Sequence, residues 1–103
     1  MKIKTIDIAA KEWFDRANGN SYFSAQITLN YGMKTEKTVY LPIQYGYGSY
    51  YMEAAAKELA ELNHITMAEN TPLWKHCQGK KIILRDSKYC NCLKRDVTAH
   101  GQI

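Results

Sequence analysis

AAKEWFDRANGN, residues 9–20, supports two foldings of the same residues, and the architecture turns on which is adopted. Ala9, Trp13 and Ala17 recur at helical spacing, and Asn18-Gly19 is a helix stop. Asn-Gly is equally the tight-turn signal of a hairpin, because both residues tolerate a positive φ. Either way a turn falls at 18–20. The two differ in where Trp13 points.

The flanking segments are less ambiguous. KIKTIDI, residues 2–8, puts Ile6 and Ile8 on one face with period two, as a strand does. From Tyr22 to Tyr31, Phe23, Ala25, Ile27 and Leu29 alternate with Ser24, Gln26, Thr28 and Asn30, which predicts a strand with one core face and one wet face. GMKTEK reads as a charged loop. TVYLPIQY returns as a strand in which Pro42, unable to donate to a ladder, points to an edge or a bulge.

QYGYGSYYMEAAAKELAEL, residues 44–62, turns from this strand into an amphipathic helix. Ser49 is the expected N-cap, with Met52, Ala55, Leu59 and Leu62 facing the core and Glu53, Lys57 and Glu61 facing water. The helix has to end after His64, with Asn63 or the ITMAENTP segment as the break. Thr71-Pro72 then caps a short turn, TPLWKHC, which Gly79 stops. KKIILR and CLKRDVTA read as two more strands around a turn-like DSKYCN. The expected fold is a single α+β domain over 1–103, an antiparallel sheet of about four to five strands with one principal amphipathic helix.

Hydrophobic residues at 46% and charged residues at 23% are near globular averages, so wholesale disorder is not expected. MKIKTIDIAAKEW lacks the apolar core of a signal peptide, and no apolar run reaches membrane-spanning length. A cytoplasmic protein with no membrane partner is expected. Cys77, Cys90 and Cys92 fit reduced thiols better than a disulfide framework. Charge is unevenly spread: residues 1–74 carry seven Lys or Arg and eight Asp or Glu, whereas residues 75–103 carry seven Lys or Arg against Asp86 and Asp96. That bias marks either a surface for phosphates or an acidic partner, or a solvated face that keeps the protein soluble.

Four sets of residues could carry chemistry. Gly46-Tyr47-Gly48 before a helix resembles a phosphate loop, but the third glycine of GxGxxG and a following GK[ST] are missing, so a structural turn is the better reading. Tyr45, Tyr47, Tyr50 and Tyr51, with Tyr40 nearby, are rigid amphipathic rings that could build a binding surface or stack on bases, although strand tyrosines also pack on their neighbours. His76, Cys77, Cys90 and Cys92, with His100, are possible zinc ligands at irregular spacing. Catalysis finds least support: His76 and Cys77 diverge as neighbours, and Asp15, Asp86 and Asp96 form no paired motif. A non-enzymatic protein with no cofactor is expected.

Trp13-Phe14-Asp15, Gly19-Asn20-Ser21-Tyr22 and Tyr45-Gly46-Tyr47-Gly48, taken in order, resemble a group of small uncharacterised phage-encoded proteins in which WFD, GN[ST]Y and YGYG segments recur. The likeness covers about two-thirds of the chain, with a weaker match at LKRDVTAHG. It implies a phage-type accessory factor and brings no catalytic residues with it. The expected function is binding to a host protein or nucleoprotein complex that processes nucleic acid or defends the host, in the anti-CRISPR manner. Tyr45, Tyr47, Tyr50 and Tyr51 would be anchors, and Lys80, Lys81, Arg85, Lys94 and Arg95 the charged contacts. Alternatives are a direct nucleic-acid binder using the basic C-terminal strands, a phage structural or assembly protein, and a small zinc module.

Overall fold

Residues 9–15 are strand. In the computed structural model, which describes residues 2–67 and 71–102, β1 (Thr5–Asp15) runs into a tight turn and returns as β2 (Asn20–Leu29). The Asp15 carboxylate accepts from the backbone N–H of Ala17 at 3.1 Å and from the Asn18 side-chain amide at 2.7 Å, and Gly19 supplies a φ of 69°. The Asn18 side chain, helped by the backbone N–H groups of Asn18 and Ala17, holds the Asp15 carboxyl below its ordinary pKa against the opposing effect of desolvation. Ala9 and Trp13 could not discriminate helix from strand, because a spacing of four places two residues on one side of either.

β3 (Lys37–Tyr45) adds antiparallel to β2, and the chain then crosses the sheet through helices α1 (Tyr50–Glu61) and α2 (Leu73–Lys80). It returns as β4 (Ile83–Tyr89), beside β1, and ends in a third helix, α3 (Lys94–His100). The strand order is β3-β2-β1-β4. β3 is an edge, as Pro42 predicted. The fold is α+β, with a correction to the expected sheet: β4 pairs with β1 in parallel, from Thr5 opposite Ile83 to Lys11 opposite Tyr89, so the sheet is mixed. The crossover imposes this, because the helices carry the chain back to the end of the sheet at which β1 and β3 begin.

Each face of the sheet has its own cover. Ile6, Ile8 and Ala10 of β1 face the same way as their partners Leu29, Ile27 and Ala25 and are buried under α1 and α2 by Ala55, Leu59, Leu73 and Cys77. Full burial of each large aliphatic side chain contributes about 1.5–3 kcal/mol. On the opposite face the Ser24 hydroxyl, fully buried, donates to the Val97 carbonyl at 2.5 Å, and His100 Nε2 donates to the Ala9 carbonyl at 2.7 Å. These bonds seat α3 across β1 and β2. Asn30, also fully buried and at φ 54°, closes the far end by accepting from Lys4 N–H at 2.7 Å and donating to the Lys2 carbonyl at 2.9 Å.

Several local expectations need correcting. CLKRDVTA holds a helix, not a strand: Leu93 precedes it, Gly101 follows it, and Val97 is its one buried side chain. DSKYCN is not a turn, since β4 continues to Tyr89 with Asp86 and Lys88 satisfied by partners on the helix-covered face. Gly79 does not stop α2; the helix reaches Lys80 and ends on Lys81 at φ 58°. Ser49 occupies the N-cap of α1 but makes no side-chain capping bond. Ala55 and Leu59 are buried as expected, with Met52 partly so, but Tyr51 and Ala54 complete the buried stripe and Leu62 is exposed. α1 ends before Asn63, which takes φ 61°. The proposed ITMAENTP break lies in part outside the described residues, at 68–70. No described helix is long and apolar enough to cross a membrane.

Candidate binding surface

Strand register sets Trp13 opposite Tyr22, and Tyr22 opposite Tyr45. Directly paired residues share a face, so rings from β1, β2 and β3 stand in a row on the face that carries α3. Trp13 and Tyr22 stack at 5.6 Å with planes 28° apart. Tyr22 meets Tyr45 edge-on at 6.0 Å, and Tyr45 meets Tyr47 edge-on at 6.5 Å. Tyr45 and Tyr47 are 57% and 68% exposed, so more than half of each stays open to a ligand despite these contacts. At the other end of the row, Lys94 on α3 places its ammonium 5.4 Å from the Trp13 ring centroid. The three segments that carried the sequence resemblance, 13–15, 19–22 and 45–48, thus converge on one surface.

The turn that supports Tyr47 is pinned from below. A Cβ on Gly46 would lie 2.6 Å from Phe23 Cε1 and 2.8 Å from Tyr50 Cδ2, and Gly48 has φ 61°. Close packing and a left-handed backbone explain the glycines, as the structural reading of the turn predicted. Lys88 of β4 donates to the Gly48 carbonyl at 2.9 Å, pairs with Glu12 at 3.3 Å and sits 5.9 Å from the Tyr51 ring centroid. Beside it the Tyr51 hydroxyl donates to the Asp86 carboxylate at 2.5 Å. Burial first, and then the Asp86 carboxylate, push the Tyr51 phenol up to about 12. Between Tyr45, Tyr47, Ser49, Tyr50 and Glu53 lies an open cleft of about 650 Å³.

The predicted site residues divide into separate groups. Tyr45, Tyr47 and Lys94 belong to the aromatic row. Tyr50, packed edge-on to Phe23 at 6.0 Å, lines the cleft. Tyr51 is buried and structural, not an exposed anchor. Arg85 is held by Asp7 in an ion pair at 2.7 Å. Arg95 is exposed on α3. Lys80 and Lys81 lie at the far end of β4, where Lys80 shares a hollow of about 310 Å³ with Lys2, His64 and His76. Burial and nearby Lys37 lower the His64 pKa. Seven strand residues at ~3.3 Å each put roughly 20 Å between the two ends of β4, so the basic residues do not form one patch. Cys77, buried in α2, accepts from Ile82 N–H just before β4, whereas Cys90 and Cys92 follow Tyr89 at its other end, so the four candidate zinc ligands are not brought together. Among the described residues no three His, Cys, Asp or Glu side chains are grouped to hold a metal ion.

Trp13, Tyr22, Glu53 and Lys88 belong to this surface or its support but were not among the predicted contacts. The Asn18-Gly19 turn held the signal for two of them: a tight hairpin there fixes a register that pairs Trp13 with Tyr22.

The chain is thus an α+β protein with a mixed, mostly antiparallel sheet and, on one face, an aromatic row whose Tyr45 and Tyr47 rings are exposed. Comparison with protein-family models, curated proteins and solved structures gives no match.

Proposed function

We propose that this is a non-enzymatic binding protein that takes unpaired nucleic acid on the Trp13, Tyr22, Tyr45 and Tyr47 row. The supporting observation is a row of rings from three adjacent strands, bordered by an ammonium at Trp13. Aromatic side chains stack on bases of any sequence for about 1–3 kcal/mol per base, and a flanking cation meets the phosphates. A duplex hides its base faces in its own stack, so a row of rings that binds by stacking favours unpaired bases over it. The basic contribution comes from Lys94 on a helix, not from a pair of C-terminal strands. In the phage-type setting suggested by the WFD, GNSY and YGYG segments, the strand would be one exposed by a host nucleic-acid-processing or defence complex.

Anisotropy of labelled single- and double-stranded oligonucleotides, titrated at low and physiological salt, tests this. The expected result is micromolar or tighter binding of single strands, weakening steeply with salt and exceeding duplex binding. Absence of single-strand binding at low salt would sink it and turn the search to a protein partner, captured from host lysate and mapped with Tyr47→Ala.

A further inference from the structure

The cleft beside the tyrosine row has one acidic wall. Three of its lining residues, Tyr45, Tyr47 and Tyr50, are tyrosines, and Glu53, in the first turn of α1, faces the same space. Tyr50 is steadied edge-on by Phe23 at 6.0 Å. Among the described residues the ion pairs are Arg85 with Asp7 and Lys88 with Glu12, and Glu53 belongs to neither.

A carboxylate repels a polyanion, so on a nucleic-acid surface it weakens binding unless the ligand brings a donor to it. The bases differ in what they bring. Guanine presents N1–H and an N2 amino hydrogen side by side on its Watson–Crick edge, matched to the two oxygens of one carboxylate. Adenine and cytosine offer an amino group beside an acceptor nitrogen, which opposes the carboxylate. Thymine and uracil offer one N–H between two carbonyls. We infer that the cleft is a pocket for a single unstacked base, walled by the tyrosines, in which Glu53 selects guanine. This rests on the nucleic-acid reading above and adds a sequence preference, which stacking alone does not give.

The test compares a labelled thymine oligomer of about 12 nucleotides with oligomers of equal length carrying dispersed guanines or adenines, on the wild-type chain and on Glu53→Gln. The guanine oligomer is expected to bind about tenfold more tightly than the thymine one, with adenine giving little gain. Glu53→Gln, which keeps the shape of an exposed side chain, should erase that difference while leaving thymine binding equal or slightly stronger, because a negative charge is gone. Salt-sensitive binding of all three oligomers with equal affinity, or a guanine preference that survives Glu53→Gln, would overturn the inference and leave the aromatic row standing. Failure of every oligomer to bind at low salt would overturn both.

Discussion

Lys94 holds its ammonium 5.4 Å from the centroid of the Trp13 ring, and that indole also stacks on Tyr22 at 5.6 Å. Trp13 is therefore engaged on both counts, and Tyr45 and Tyr47 remain as the outward rings of the row. Tyr45→Ala and Tyr47→Ala should each weaken single-strand binding about tenfold. Lys94→Ala should instead flatten the salt dependence by about 0.7 in log–log slope, as loss of one phosphate contact does. Titrations at several salt concentrations separate the two effects. An unchanged slope in Lys94→Ala would remove that lysine from the site.

Tyr51 gives the fold an alkaline limit. Its phenol is raised from 10.0 to about 12. A raised pKa means the folded state holds the proton more tightly, so the stabilisation is complete below pH 10 and is lost as pH rises toward 12. Two units correspond to on the order of 2–3 kcal/mol. Absorbance titration should show the Tyr51 phenolate forming late, and Tyr51→Phe should abolish that step. Denaturant unfolding at neutral pH should show Tyr51→Phe costing about 1 kcal/mol for the lost bond.

Gly101 lets α3 approach the sheet. Its φ is ordinary, but a Cβ there would strike the Leu41 carbonyl oxygen and lie 2.8 Å from Ser24 Cβ and 2.9 Å from Pro42 Cα. Backbone cannot swing aside as a side-chain tip can. Gly101→Ala should destabilise the protein by about 1–3 kcal/mol and loosen Lys94 from Trp13. Gly79→Ala, where a Cβ meets nothing within 4 Å, is the matched control and should not destabilise. Thermal melts of the two variants decide this.

The cysteines should react in a fixed order. Cys90 is exposed, Cys92 partly so with its thiol donating to the Tyr89 carbonyl at 3.3 Å, and burial raises the Cys77 pKa. A thiol reagent at neutral pH should label Cys90 first and Cys77 only when the chain unfolds. Peptide mapping of the labelled sites would show it, and early labelling of Cys77 would contradict its burial on the core side of α2.

Where a segment has one wet face and one dry face, the sequence announced its structure. The alternation from Phe23 to Leu29 shows β2, Pro42 shows the edge, and Glu53, Lys57 and Glu61 show the solvent side of α1. Residues 83–100 were hard to read because they bury little. β4 is an edge strand whose polar Asp86 and Lys88 are satisfied by Tyr51 and Glu12, residues distant in sequence. α3 has two turns and one buried side chain, too short for a 3.6-residue period to appear against the β-branched Val97 and Thr98. The tyrosine cluster was visible as composition, but the row was not, because it depends on Trp13 and Tyr22 meeting through a hairpin that residues 9–20 left open.

The parallel pairing of β4 with β1 also has a consequence in time. The two hairpins close short loops, but Thr5 finds Ile83 only after nearly the whole chain has been gathered, which is slow in proportion to the entropy of that closure. β1 is expected to pass through folding with one open edge, the state in which strands recruit their neighbours. Refolding of a Trp74→Phe chain, followed by the fluorescence of Trp13, should place the arrival of Lys94 in the slowest phase; a signal complete with the first hairpin would refute this. A nascent chain would thus display its tyrosines well before it carries the cation beside them, and full affinity would mark a molecule that has finished folding.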